Sequence, residues 1–219
     1  MTAENKSAQK TRIKKILQVL FDLYPHPQSA LIVDNPFQRL IATILSAQST
    51  DKQVNKITRE LFDIFPDPRS LALASPSKVE DIVRSTGLYR NKTKNIIAAS
   101  GMIMEKFDGQ VPKTMKELTS LPGVARKTAN CVLQDSFNIA EGIVVDTHVG
   151  RLAIRLRLTS ETKKNPVKIE KDLKRVIPRR QWLVISHRLI YHGRNICKAR
   201  NPLCGKCRLL NWCPSGKVD

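Results

Sequence analysis

The stretch MKELTSLPGVARKTANCVL, residues 115–133, reads as two short helices broken by a Pro-Gly pair, and it decides the fold. Thr114 with Glu117 three residues on is a capping box that starts the first helix. Pro122-Gly123 makes a tight turn, and a second helix resumes almost at once. In such a helix-hairpin-helix the backbone N–H groups of Gly123, Val124, Ala125 and Arg126 and the positive end of the following dipole form an anion site. A backbone that reads phosphate reads no base sequence, so DNA or RNA would be held non-specifically. A plain helix–helix connection remains the other reading of the same pattern. Lys127 stands one residue into the second helix, where a cation opposes the dipole. A solvated surface lysine and a functional amine are both open.

Outward from this stretch the chain keeps the same grammar. TRIKKILQVLFDLYP spaces Ile13, Ile16, Leu17, Leu20, Phe21 and Tyr24 as one face of a helix ended by Pro25. Asn35-Pro36, Ser75-Pro76 and Asn165-Pro166 each pair a capping side chain with proline as first helical residue. Only EGIVVD at 141–146 resembles a strand, and it is too short to make a sheet. The expected fold is all-α, with short loops and no low-complexity stretch.

The chain of 219 residues carries 38 Lys and Arg against 19 Asp and Glu, a formal charge of +19, which points to a polyanionic partner. Residues 151–219 hold 18 basic and 4 acidic side chains, residues 1–150 hold 20 and 15, so the surplus is concentrated in the C-terminal third. No apolar run is long enough to span a bilayer, and the opening MTAENKSAQKTRIKK lacks a secretory signal's apolar stretch. The expectation is a cytoplasmic, nucleoid-associated protein with no membrane partner.

Cys197, Cys204, Cys207 and Cys213 are spaced by six, two and five residues. In a reducing compartment such packing suggests a metal centre, with one CxxC knuckle rather than two favouring an iron–sulfur cubane over a zinc ribbon; unliganded cysteines are the third reading. Lys198, Arg200, Lys206 and Arg208 stand among them, where they would offset a negative cluster and remain available to phosphates. Cys131 lies outside this spacing and reads as a small buried hydrophobe. Asp146 follows the apolar run GIVV and opens the amphipathic THVGRLAIRLRL, as a helix cap that could also stabilise a developing cation or move protons. His148, His187 and His192 read as structural or phosphate-contacting groups.

LSAQSTD, TGLYRNKTKNI, LPGVARKTAN, VVDTHVGR, HGRNIC and the cysteine spacing, in that order over residues 12–213, resemble the endonuclease III family of DNA glycosylase/AP lyases. The resemblance implies Lys127 as nucleophile, Asp146 as its acidic partner, a [4Fe–4S] cluster on the four cysteines, Gln48 filling the gap left by an extruded base and Leu88 wedging the opposite strand. It implies two helical lobes, a six-helix lobe at 29–140 with the hairpin and a cluster lobe joining 1–28 to 141–219, with a DNA cleft between them. A monomer excising oxidised pyrimidines and cleaving abasic sites by β-elimination is the expected protein. A mismatch glycosylase that uses water, or a non-catalytic DNA-binding protein, are the rivals. One departure stands out: the family's usual second glycine in LPGVG is Ala125 in this chain.

Overall fold

A computed structural model describes residues 5–217; residues 1–4 and 218–219, the outer ends of the expected second lobe, lie outside the described residues. Eleven α-helices and four short 3₁₀ turns are found among the described residues, and no strand, 141–146 included. Helix α1 (Lys6–Leu23) begins ahead of its apolar face, because the Asn5 side chain accepts the Ala8 N–H and fixes an earlier start. It ends where Tyr24, preceding Pro25, leaves helical geometry at φ −135°.

The described chain divides into two compact units, Ser29–Glu141 and a second formed by the N-terminal segment to Gln28 with Gly142 onward. The first unit runs through α2 (Pro36–Leu45), α3 (Asp51–Ile64), α4 (Pro68–Ala72), α5 (Pro76–Val83), α6 (Tyr89–Lys106), α7 (Met115–Ser120) and α8 (Arg126–Phe137). That is seven helices rather than six, because Asp67 and Ser70 cap each other and make the five residues of α4 helical. Helix α6 is central, packed against α4, α5 and α2, while α8 packs against α2 and α7. Leu40, Ile41, Leu45, Leu61, Ile96, Ile103 and Leu133 lose all or nearly all solvent contact in its core. Each such side chain contributes about 1.5–3 kcal/mol on burial. Arg39 of α2 meets Asp135 of α8 at 3.7 Å, both largely buried, and donates to Ser29 Oγ at 2.8 Å.

The second unit packs α1 with α9 (Thr147–Arg155), α10 (Pro166–Val176) and α11 (Trp182–Asn195) around Ile16, Leu20, Leu152, Ile169, Leu173, Ile185 and Leu189. Two arginines fasten its distant segments: Arg12 donates to the Leu156 carbonyl at 2.6 Å, and Arg188 Nε to the Tyr24 carbonyl at 3.1 Å. Asn35 and Asn165 cap α2 and α10, accepting from Gln38 N at 2.9 Å and Lys168 N at 3.2 Å. Ser75 instead pairs with Ser77 and makes no side-chain cap.

The all-α reading holds, but the expected cluster lobe does not. Among the described residues no group of three or more His, Cys, Asp or Glu side chains is disposed to hold a metal ion. The second unit is a helical unit with its own apolar core, and the description of it as a [4Fe–4S] lobe is corrected accordingly.

Candidate active site and nucleic-acid interface

The hairpin is built as its residues dictate. Thr114 Oγ1 accepts the Glu117 N–H at 3.2 Å and donates to the Glu117 carboxylate at 2.7 Å, closing the first turn of α7. The Leu121 N–H returns to the Leu118 carbonyl and the Val124 N–H to the Leu121 carbonyl, so the chain reverses over four residues. Gly123 sits at φ +76°, and a Cβ there would fall 2.8 Å from Asn95 Cβ. Glycine is required twice, by backbone and by space. Val124 is buried and anchors the turn, which leaves only its main chain available to a ligand.

Helix α8 opens without a side-chain cap, because its capping residue is Ala125. The first N–H groups of any helix have no intrahelical acceptor, so this start presents donors and a positive dipole end to an anion. Ala125 lies at φ −83°, ψ 167°, ordinary extended backbone, and its methyl is exposed. Arg126 and Lys127 are exposed beside it.

In the other unit Asp146 is the cap of α9: its carboxylate accepts the Val149 N–H at 2.7 Å and is half-buried. That bond fixes the oxygen's direction. His148, two residues on, is held below the ordinary histidine range chiefly by burial, with Arg151 and Arg194 adding to the effect and Asp146 opposing it. Its Nδ1 lies 3.1 Å from Arg151, whose guanidinium also donates to the Gly193 carbonyl at 2.9 Å. His148 therefore belongs to a structural network under α9.

Gln48 and Leu88 share a property that spacing does not reveal. Both are exposed, and both are non-glycine residues at positive φ, 55° and 50°. Gln48 lies in the turn between α2 and α3, and Leu88 immediately precedes α6. A side chain in the left-handed region costs about 1–2 kcal/mol and persists only where surrounding structure holds it. Lys92, which sequence reasoning passed over, is 4% exposed and donates from Nζ to the Thr86 carbonyl at 2.7 Å. Burial pulls its amine below the usual lysine value. Nothing in its spacing singles it out, since lysines are almost always solvated.

The four C-terminal cysteines line one cavity of about 30 Å³ with Leu152, Leu156 and His192. They do not fit the expected cofactor. No three donors there are placed to share a metal ion, and burial pushes the Cys207 and Cys213 thiols up. The sulfurs engage protein instead: Cys197 Sγ accepts from Arg155 at 3.3 Å, and Cys207 Sγ lies 3.4 Å from His192 Nε2. His192 is buried between Cys207 and the Tyr24 hydroxyl, 3.2 Å from its Nδ1, and burial takes it down to about 4. The [4Fe–4S] assignment of Cys197, Cys204, Cys207 and Cys213 is thus corrected. Lys198, Arg200, Lys206 and Arg208 are all exposed. Cys131 is partly rather than fully buried.

The fold and the hairpin define a class, and the family model of the HhH-GPD superfamily of base excision DNA repair proteins matches residues 41–179. The chain is 50% identical over 213 residues to endonuclease III of Synechocystis sp., covering 97% of this chain and 96% of that one. It superimposes on a non-covalent endonuclease III–DNA complex with a TM-score of 0.89 at 40% identity, over 94% of this chain and 96% of that one. The same values hold for a trapped endonuclease III–DNA covalent intermediate containing an estranged adenine. The chain belongs to the endonuclease III family. Among the described residues, no helix is long and apolar enough to cross a membrane.

Proposed function

We propose that this protein is a DNA glycosylase with AP-lyase activity in base excision repair, with Lys127 as nucleophile and duplex DNA bearing oxidised pyrimidines or abasic sites as substrate. The observation that carries the reading is the placement of Lys127: an exposed amine at the uncapped start of α8, next to a turn whose main chain suits a phosphate. A phosphate held there brings the adjoining sugar to the amine. Attack of the neutral amine on C1′ forms a C–N bond as the glycosidic bond breaks, and the base leaves with its bonding electron pair. The nitrogen then sheds a proton, and the C1′–O4′ bond breaks, O4′ taking up a proton and the nitrogen left as the protonated Schiff base. Loss of a C2′ proton sends electrons toward the iminium, and the 3′ phosphate departs. Asp146, oriented by its bond to Val149 N, stabilises positive charge on the sugar as the base leaves.

A damaged base must leave the stack to be reached, at a cost of a few kcal/mol. Gln48 and Leu88, presented by strained backbone, offset part of that cost by filling the gap and wedging the opposite strand. Gly123, Ala125 and Arg126 hold the phosphate, and the exposed Lys198, Arg200, Lys206 and Arg208 add to the non-specific grip. The protein acts as a monomer in the cytoplasm on nucleoid DNA. Borohydride trapping on abasic duplex DNA tests the mechanism. The wild-type protein is expected to form a covalent adduct that Lys127→Ala loses. Strand cleavage with no trapped adduct would falsify the amine mechanism, and an adduct retained by Lys127→Ala would place the nucleophile elsewhere.

A further inference from the structure

The turn that presents Leu88 is fastened from beneath by a buried lysine. Arg84–Thr86 is a 3₁₀ turn, followed by Gly87 at φ 70° and Leu88 at φ 50° before α6 begins. Leu88 is 56% exposed, an apolar side chain held up in strained backbone with no side-chain cap to steady it. Lys92 bonds the carbonyls on both sides of Gly87: its N–H donates to the Leu88 carbonyl at 3.1 Å and its Nζ to the Thr86 carbonyl at 2.7 Å. The backbone bond is the ordinary first bond of a helix; the side-chain bond is not. It spans six residues and aims a buried cation at a buried carbonyl, since Thr86 is 2% exposed.

The rest of the turn is tied more weakly. Thr86 Oγ1 returns to the Val83 carbonyl at 2.8 Å within the same turn. Gln53 of α3 reaches Ser85 Oγ at 2.6 Å in an exposed position, and the Arg84 guanidinium lies over the Tyr89 ring at 5.3 Å. Neither engages the main chain at 86–88. Burying an ammonium costs free energy that an apolar residue at 92 would not incur, so its presence beneath this turn points to what the turn must do. We infer that Lys92 is a positioning residue that clamps the Thr86–Leu88 backbone and holds Leu88 in the attitude needed to enter the duplex. This rests on the wedge role given to Leu88 above.

A double-mutant cycle tests the inference, with Lys92→Met, Leu88→Ala and the pair. The readouts are the ratio of Lys127 trapping rates on abasic duplex and abasic single strand, and the fluorescence of 2-aminopurine opposite a tetrahydrofuran site. Single-stranded DNA needs no wedge, so the ratio isolates wedging from chemistry. Each single variant is expected to lower the ratio by about tenfold and to lose the 2-aminopurine rise on binding. The pair is expected to do no worse than Leu88→Ala. Lys92→Gln, with a donor of shorter reach, is expected to fall between the wild-type protein and Lys92→Met, and it serves if the methionine variant does not fold. A wild-type ratio in Lys92→Met or Lys92→Gln beside a lowered one in Leu88→Ala overturns the clamp and leaves the wedge standing. Equal losses on duplex and single strand for Lys92→Met overturn it too, because they mean general damage. A wild-type ratio in Leu88→Ala overturns the wedge and the clamp together, while the amine mechanism is still read separately from the adduct itself.

Discussion

Two neighbouring positions in the hairpin separate what glycine is for. At 123 the backbone lies at φ +76° and a Cβ would meet Asn95 Cβ at 2.8 Å, so Gly123→Ala has to strain the turn and displace α6. We expect a loss of about 2 kcal/mol or more from left-handed strain plus overpacking, read as a fall in melting temperature with a matching loss of DNA affinity. At 125 the backbone is extended at φ −83°, where alanine is unstrained. Ala125→Gly should therefore stay within about 1 kcal/mol of the wild-type protein, since the chain entropy glycine adds is opposed by its better fit as a helix cap. A marked gain in melting temperature in Ala125→Gly would contradict the extended geometry.

Element by element, one residue often carries a structural and a chemical duty, and substitutions can part them. Asp146 caps α9 through Val149 N at 2.7 Å. Asparagine caps equally well, so Asp146→Asn should melt with the wild-type protein while base excision slows by about 10²–10⁴-fold. Asp146→Ala should lose about 1 kcal/mol of stability as well. Excision by Asp146→Asn at the wild-type rate would leave the residue as a cap alone. On α11, His192 is held neutral down to about 4 by burial, against an ordinary value of 6.5. Above pH 6.5 it is neutral folded or unfolded and affects nothing. As pH falls from 6.5 toward 4 only the unfolded chain takes up the proton, so stability is lost across that window, by about 3 kcal/mol in full. Melting curves at pH 7 and pH 4.5 should show a larger drop for the wild-type protein than for His192→Gln. Parallel drops would remove His192 as the cause.

For the molecule as a whole, charge is the quantity that reaches beyond any one element. With a formal charge of +19, and 18 basic against 4 acidic side chains in residues 151–219, binding to undamaged duplex should be driven by counterion release. A protein neutralising six or more phosphates loses about 10³-fold or more in affinity between 50 and 200 mM salt, and this one should behave so. Lys198→Glu with Arg200→Glu should flatten the salt dependence without altering trapping on a tightly bound abasic site. An unchanged slope would mean that these exposed cations serve something other than DNA.

The helices and the hairpin were legible in the sequence because they depend on neighbours. Asn35, Thr114, Asp146 and Asn165 each cap the residue three positions ahead, and apolar spacing names Ile13, Ile16, Leu17 and Leu20 on the buried face of α1, although Phe21 of the same run is half exposed. The proposed nucleophile, Lys127, is marked by its motif, and the structure adds its exposed place at the start of α8. What tertiary structure alone decided depends on residues brought together from afar. It set the positive φ of Gln48 and Leu88, and it showed that the barrier to a side chain at 123 is Asn95, a residue of α6. Lys92 was invisible because its burial comes from packing around α6, whereas the sequence shows only one more lysine in a basic chain. The cysteine spacing misled for the same reason. Proximity along the chain lets four thiols gather, but whether they can share a metal depends on where the backbone of 197–213 points each sulfur, and here Cys197 meets Arg155 and Cys207 meets His192, with no three donors placed to share an ion.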